Sequence, residues 1–330
     1  MGAGYRLGVD IGSVSTKGVI LDETGQITAR AYLLTEGDPL GATKRLLDSL
    51  KSQLPEHTHI HAVGTTGSAR RLVGAMLEAD AVKNEITAHA IGTLSRHPDV
   101  QTILEIGGQD SKIILLRGGV VVDYAMNTLC AAGTGAFLSA QAIRLGLTVE
   151  EMGEVALLSK TPARIAARCT VFAESDLIHK AQAGHSKADL VAGIMEAVAA
   201  NYLANLGKGK KITPPVVFQG GVSRNSGVVM AFGRELGHEI LVDPDGHLMG
   251  ALGAALLATD ASKRTHPFAF DFSEKIYKTH AVSCEGCLNH CEIVRFYRDG
   301  TLLDYWGNRC ERIGEVIPAQ ATNRNTHNQR

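Results

Sequence analysis

Three short turns hold the residues best suited to phosphate chemistry. The first, Asp10-Ile11-Gly12-Ser13-Val14-Ser15-Thr16-Lys17, sets a carboxylate before a glycine and a run of hydroxyls and ends on a cation. A carboxylate at a strand end can hold the water shell of Mg²⁺. Gly12, Ser13, Ser15 and Thr16 offer N–H groups and hydroxyls to phosphate oxygens, with Lys17 as the nearby positive charge. The second turn, Glu105-Ile106-Gly107-Gly108-Gln109-Asp110-Ser111-Lys112, repeats the acid–x–Gly order. Gln109 is suited to orient an attacking water, and Asp110 to assist the metal or the base. In the third, Gln219-Gly220-Gly221-Val222-Ser223-Arg224-Asn225, Gly220 and Gly221 let backbone approach a flat adenine ring, and Asn225 is counted with them. Any one of these is equally an ordinary hairpin turn. Three in this order, the first two led by acids, point to a bound nucleotide. None is a Walker A loop or a G-x-G-x-x-G fingerprint.

Six cysteines fall into two groups. Cys130 and Cys169 each stand just before a helical pattern, where the positive helix end favours a thiolate. An iron–sulfur cluster usually takes four thiolates, so two per chain complete a site only across a two-fold axis. The alternative is a pair of inert, buried cysteines. Cys284, Cys287 and Cys291, spaced C-x2-C-x3-C, and the distant Cys310 have the ligand count for a [4Fe-4S] cluster or a tetrahedral Zn²⁺, and the spacing leaves both open. His290 is a competing ligand, and Trp306 is expected to pack against this metal site. His57, His59 and His61 alternate as on a strand face and read as a solvated edge.

The turns need strands to aim them. Tyr5 to Asp10, Gly18 to Leu21 and Ile27 to Leu34 read as strands, followed by a helix over Thr43 to Leu54 and a strand over His61 to Gly64. The order recurs with strands at Thr102 to Ile106, Lys112 to Leu116 and Gly119 to Ala125, a long helical region from Ala136, and a strand at Val216 to Phe218. Two such units predict two similar subdomains facing each other across a cleft. From about Ser262 helical periodicity is lost, and Gln320 to Arg330 is polar and expected to fray.

Composition narrows the classes. With 330 residues, 45% apolar and 20% charged, the chain is neither disordered nor a coiled coil, and its length suits about two domains. A net charge of −1 counts against nucleic acid as the partner. The apolar run Leu248 to Ala258 is far short of the ~20 residues a membrane span needs. The start of the chain lacks the pattern of a secretion signal, so a cytoplasmic, membrane-free protein is expected. In a reducing compartment such cysteines bind metal more often than they form disulfides.

From Leu7 to about Ala258 the three turns resemble the phosphate-1, phosphate-2 and adenosine motifs of the acetate kinase, sugar kinase, Hsp70 and actin superfamily. The resemblance implies an α/β fold with two RNase-H-like subdomains around an ATP cleft. The first would span 1–95 plus a returning helix at 246–259, the second 96–245, with a small Cys-rich segment at 262–330. The segments Cys-Ala-Ala-Gly-Thr-Gly (130–135), Cys-Thr-Val-Phe-Ala-Glu-Ser (169–175), Glu-Ile-Gly-Gly-Gln-Asp (105–110) and Lys-Asn-Glu-Ile-Thr-Ala-His-Ala (83–90) resemble the activator family of 2-hydroxyacyl-CoA dehydratases and benzoyl-CoA reductases. We count Gly107, Gly108, Gly133, Thr134 and Gly135 with the nucleotide ligands.

What this second resemblance implies is a homodimer bridged by one [4Fe-4S] cluster through Cys130 and Cys169 of each chain. Mg-ATP would drive single electrons from a ferredoxin or flavodoxin to a dehydratase, a benzoyl-CoA reductase or a double-cubane-type acceptor. Asp10, Glu105 and Asp110 would serve metal and phosphate, and Gln109 the water. Short members of that family lack the C-terminal cysteines, whereas similar Cys-x-x-Cys-x-Asn-x-Cys segments resemble parts of larger activator-type proteins. Two rivals remain: a small-molecule kinase of the same fold, and an ATP-responsive docking module with structural zinc.

Overall fold

The strands that carry the turns are continuous apolar runs buried on both faces, the pattern of a sheet covered by helices on each side. The computed structural model describes residues 4–56, 58–127, 130–167, 169–258, 268–272 and 274–310. The first subdomain contains β1 (Tyr5–Ile11), β2 (Ser15–Leu21), β3 (Ile27–Leu34), α1 (Pro39–Lys51), β4 (Ile60–Thr66), α2 (Arg70–Leu77), β5 (Ala81–Val82) and α3 (Glu85–Arg96). The second contains β6 (Thr102–Ile106), β7 (Ser111–Arg117), β8 (Val120–Asn127), α4 (Gly135–Leu145), α5 (Val149–Leu157), α6 (Thr170–Gln182), α7 (Lys187–Tyr202), β9 (Val216–Gln219), α8 (Ser226–Leu236) and β10 (Ile240–Val242). The chain then returns through α9 (Met249–Leu257) and ends in β11 (Tyr277–Ser283), β12 (Glu292–Arg298) and β13 (Thr301–Trp306).

The repeat is exact in topology. One sheet runs β3-β2-β1-β4-β5 and the other β8-β7-β6-β9-β10. In each, the first three strands pair antiparallel and the last two join in parallel. What differs is the crossover to the fourth strand. Between β3 and β4 lies α1 alone, whereas between β8 and β9 lie α4 to α7, and this longer connection contains Cys130 and Cys169.

Helix α9 packs on the first sheet, and it does so through glycine. A side chain on Gly8 of β1 would strike the Ala251 carbonyl, and one on Gly64 of β4 the Ala254 carbonyl. Gly92 of α3 and Gly253 of α9 make the same close approach to one another's helices. The backbones of α3, α9, β1 and β4 therefore touch directly.

Three element assignments change. Strand β2 begins at Ser15, not Gly18, because Thr16 is buried and its hydroxyl lies 2.9 Å from that of Thr35. Helix α1 begins at Pro39, where Asp38 accepts the Gly41 N–H and proline occupies the first turn. The C-terminal region holds a three-stranded antiparallel sheet. The Trp306 ring lies 6.3 Å from that of Phe296, in the apolar cluster shared with α1 and α2. Among the described residues one stretch, Lys187–Gly207, is long and apolar enough to cross a membrane, and 67% of it is buried inside the protein as the central helix of the second subdomain. His59 is exposed and His61 half-buried, while His57 lies outside the described residues.

Candidate functional site

Strand ends of the two sheets meet at one cleft. Asp10, Gly12, Ser13, Ser15 and Lys17 line it from the first subdomain, and Glu105, Gly107, Gly108, Gln109 and Asp110 from the second. The two hairpins present the same pair at the same register: Asp10 stands opposite Lys17, and Glu105 opposite Lys112. Lys17 Nζ lies 3.3 Å from Asp10. Burial alone would keep Asp10 protonated, but Lys17, His89 and Lys112 outweigh it and hold the carboxyl below the usual carboxylate range. Asp10 is thus a buried anion at neutral pH, suited to the shell of a divalent cation.

Lys112 is a hub. It is buried, with Nζ 2.8 Å from Glu85, 3.0 Å from Glu105 and 3.0 Å from Asp110. Burial opposes its charge, but these three carboxylates prevail and raise its pKa. The Tyr202 hydroxyl donates to the Lys112 carbonyl beneath it.

Glu85 and His89, both on α3, join the site although neither was singled out as a ligand. Their signal was available: both fall within the 83–90 segment, which had been used only as a mark of resemblance. His89 is buried and its pKa falls to about 4, chiefly through burial and then through Lys112, so the ring is neutral. Its Nδ1 pairs with the Gln219 amide nitrogen at 2.9 Å, and the Gln219 oxygen accepts from Thr93 at 2.6 Å. This network joins α3 to the end of β9. Gly250 of α9 completes it, since a methyl there would lie 2.7 Å from Asp10 Oδ2 and 3.2 Å from His89 Nε2.

Other nominated residues sit behind the cleft. Thr16 is committed to Thr35, and the Thr134 hydroxyl to the Ala131 carbonyl. Asn225 caps α8 through the Val228 N–H and also donates to Val149. Gly220 has φ +90° and packs against Ile106 and Glu105, while Gly221 faces the Tyr32 hydroxyl. Gly133 packs on the Asn201 side chain, and Gly135 donates its N–H to the Gly107 carbonyl at 2.9 Å.

The six cysteines are free thiols. Cys169 is the N-cap of α6, and Cys130 opens the short 3₁₀ turn that leads into α4. Both are half-buried, not fully buried. Asn127 holds the Cys130 backbone on both sides, accepting its N–H at 3.0 Å and donating to its carbonyl at 2.9 Å. Glu174 ties the two helices together through Gln141 at 2.9 Å and Arg144 at 3.2 Å. Val171 and Phe172, just past Cys169, are each 65% exposed. The C-terminal thiols lie on the third sheet, away from these elements.

Comparison with known proteins agrees with this geometry. The chain is 38% identical over 264 residues to the 2-hydroxyisocaproyl-CoA dehydratase activator of Clostridioides difficile, spanning 79% of this chain and 97% of that protein. It is 35% identical over 254 residues to the (R)-2-hydroxyglutaryl-CoA dehydratase activating ATPase of Acidaminococcus fermentans, spanning 77% and 96%. The solved structure of the Clostridium difficile activator with bound ADPNP superposes with a TM-score of 0.72 at 38% identity, over 78% of this chain and 96% of that one. Residues 7–258 match the BadF/BadG/BcrA/BcrD ATPase family, and the chain belongs to it.

Proposed function

We propose that this ATPase is a one-electron activator. It would work as a homodimer in which Cys130 and Cys169 of both protomers hold one [4Fe-4S] cluster, with a 2-hydroxyacyl-CoA dehydratase or a benzoyl-CoA reductase-like enzyme as electron acceptor and a ferredoxin or flavodoxin as donor. One observation carries the reading. The Gly107 and Gly108 carbonyls accept the N–H groups of Gly135 and Ala136 at 2.9 and 2.8 Å. The loop facing the phosphates is thereby fastened to the start of the helix that follows Cys130.

The thiols suit such a group. They are half-exposed, stand at helix N-termini that favour thiolates, and lie beside the exposed Val171 and Phe172, which a two-fold contact would cover. When bound, the cluster supplies storage and release of a single electron. The chain's own residues do the rest. Asp10 holds the Mg²⁺ shell, Lys17 neutralises phosphate charge, and Gln109 orients the attacking water. Lys112 keeps Glu85, Glu105 and Asp110 in one rigid group. Loss of the γ-phosphate releases the Gly107–Gly108 loop, and α4 moves with it.

Anaerobic purification with iron, sulfide and mass analysis tests this. A dimer with about two cluster irons per chain is expected. Cys130→Ser should abolish ATP-dependent reduction of the acceptor while leaving ATP hydrolysis within about twofold of wild type. A fully loaded monomer, or undiminished reduction by that variant, would overturn the proposal. A kinase of the same fold would instead leave both cysteines idle and phosphorylate a small molecule.

A further inference from the structure

Beyond the family match, the C-terminal sheet gathers thiols that the nucleotide site does not use. Cys284, Cys287 and Cys291 lie in or beside the loop joining β11 to β12. The Cys284 N–H donates to the Cys291 carbonyl at 2.8 Å, one step past the Ser283–Glu292 pair of the same register. These two side chains therefore stand opposite each other on one face, with Cβ atoms about 4.5–5.5 Å apart. Strand β13 ends at Trp306, opposite Val294, and Gly307 then crosses the Glu292 carbonyl so closely that a side chain would strike it. Gly307 accepts this course with φ +104°. The chain is thus delivered toward Cys310 at the same end of the sheet, where Asn308 donates to the Cys310 carbonyl at 2.8 Å.

The two faces of this sheet are covered unequally. One face, with Tyr277, Phe296 and Trp306, enters the cluster formed by α1 and α2, and Arg298 pairs with Glu78. On the other face Ile293 is the one fully buried apolar residue of its cluster among those described, with Val282, Leu302, Tyr305 and the thiols Cys284 and Cys291 packed against it. A small fold with so little core needs a staple, and four reduced cysteines on one sheet end are the material for one.

We propose that Cys284, Cys287, Cys291 and Cys310 bind one divalent thiophilic ion of the zinc class, fastening this end of the sheet. A single ion with metal–sulfur bonds of about 2.3 Å takes two thiolates from an opposed cross-strand pair without parting β11 from β12. Among the described residues no three metal-binding side chains converge. The exposed Cys287 and Cys310 therefore close on the ion as it binds, each of the four thiols giving up its proton, so that binding and ordering of this end are one event.

The site is independent of the shared cluster, and the test keeps them apart. In the full chain purified without oxygen, one zinc per chain is expected. It should be lost in Cys287→Ser and in Cys310→Ser but kept in Cys130→Ser, which loses only iron. Chelation of wild type should make four further thiols reactive. Should the serine variants fail to fold, Co²⁺ added to chelated wild type should give one equivalent of a tetrahedral thiolate spectrum. Iron at these cysteines that survives in Cys130→Ser would overturn the assignment. So would four thiols already reactive before chelation.

Discussion

The two sheet subdomains share strand order, strand sense and an acid–lysine pair at the same register, yet they use that pair differently. Lys17 meets one carboxylate and keeps 14% of its side chain exposed, whereas Lys112 meets three and is 2% exposed. The first half offers a loosely held pair that a metal and phosphate can rearrange. The second half turns the same pair into a fixed hub, next to the connection that carries Cys130 and Cys169. The lesson is that the duplicated sheets supply matching strand ends, and the halves differ most in the crossover, where the longer connection holds Cys130 and Cys169.

The sharpest way to break this comparison is to remove each lysine. Lys112→Met strands three carboxylates, of which Glu105 is buried, and should cost roughly 3–5 kcal/mol of stability. Lys17→Met should cost less, roughly 1–3 kcal/mol, with one carboxylate left unpaired. Urea titrations would read both as shifts in midpoint at constant slope. Equal losses would mean that the two pairs are equivalent after all.

The bridge between the halves gives the next effect. His89 titrates near 4 when folded and near 6.5 when unfolded. Between those values the unfolded chain binds the extra proton, so stability is fully present above about pH 6.5 and is lost as pH falls toward 4. The total is roughly 3 kcal/mol. Stability curves measured at several pH values should show this slope in wild type and a flatter one in His89→Gln. Asp10, whose pKa is depressed, loses its contribution at still lower pH and does not imitate this window.

The smallest effect belongs to the long crossover. Thr148 and Glu151 form a reciprocal cap at the start of α5. Thr148→Ala should cost about 1 kcal/mol and leave ATP hydrolysis unchanged. A loss of hydrolysis would show that α5 communicates with the cleft.

Much of the cleft was legible because glycine turns after strand-end acids have a specific chemical logic. Asp10, Gly107 and Gln109 came from that logic, and ten of the nominated residues line one cleft. Glu85 and His89 did not, because on a helix a buried polar residue reads like a solvated one until its partners are known. Thr16 and Asn225 have partners that sequence does not show, since a hydroxyl or amide beside a turn also caps or pins backbone and neighbouring side chains. The C-terminal sheet was hidden because Tyr277–Ser283 is largely exposed and lacks the clean alternation of a half-buried strand. That β12 and β13 lean on α1 and α2 through Phe296 and Trp306 was not legible either, because sequence does not reveal which elements cover a strand.

The glycine contacts around α9 have a mechanical consequence. The chain passes between its halves through α3 and again on the way into α9, and these two helices meet backbone to backbone at Gly92 and Gly253. Side-chain ridges normally lock helices into a few preferred crossings. A joint without ridges has no interlocked side chains there, so the two helices are spaced by backbone atoms alone.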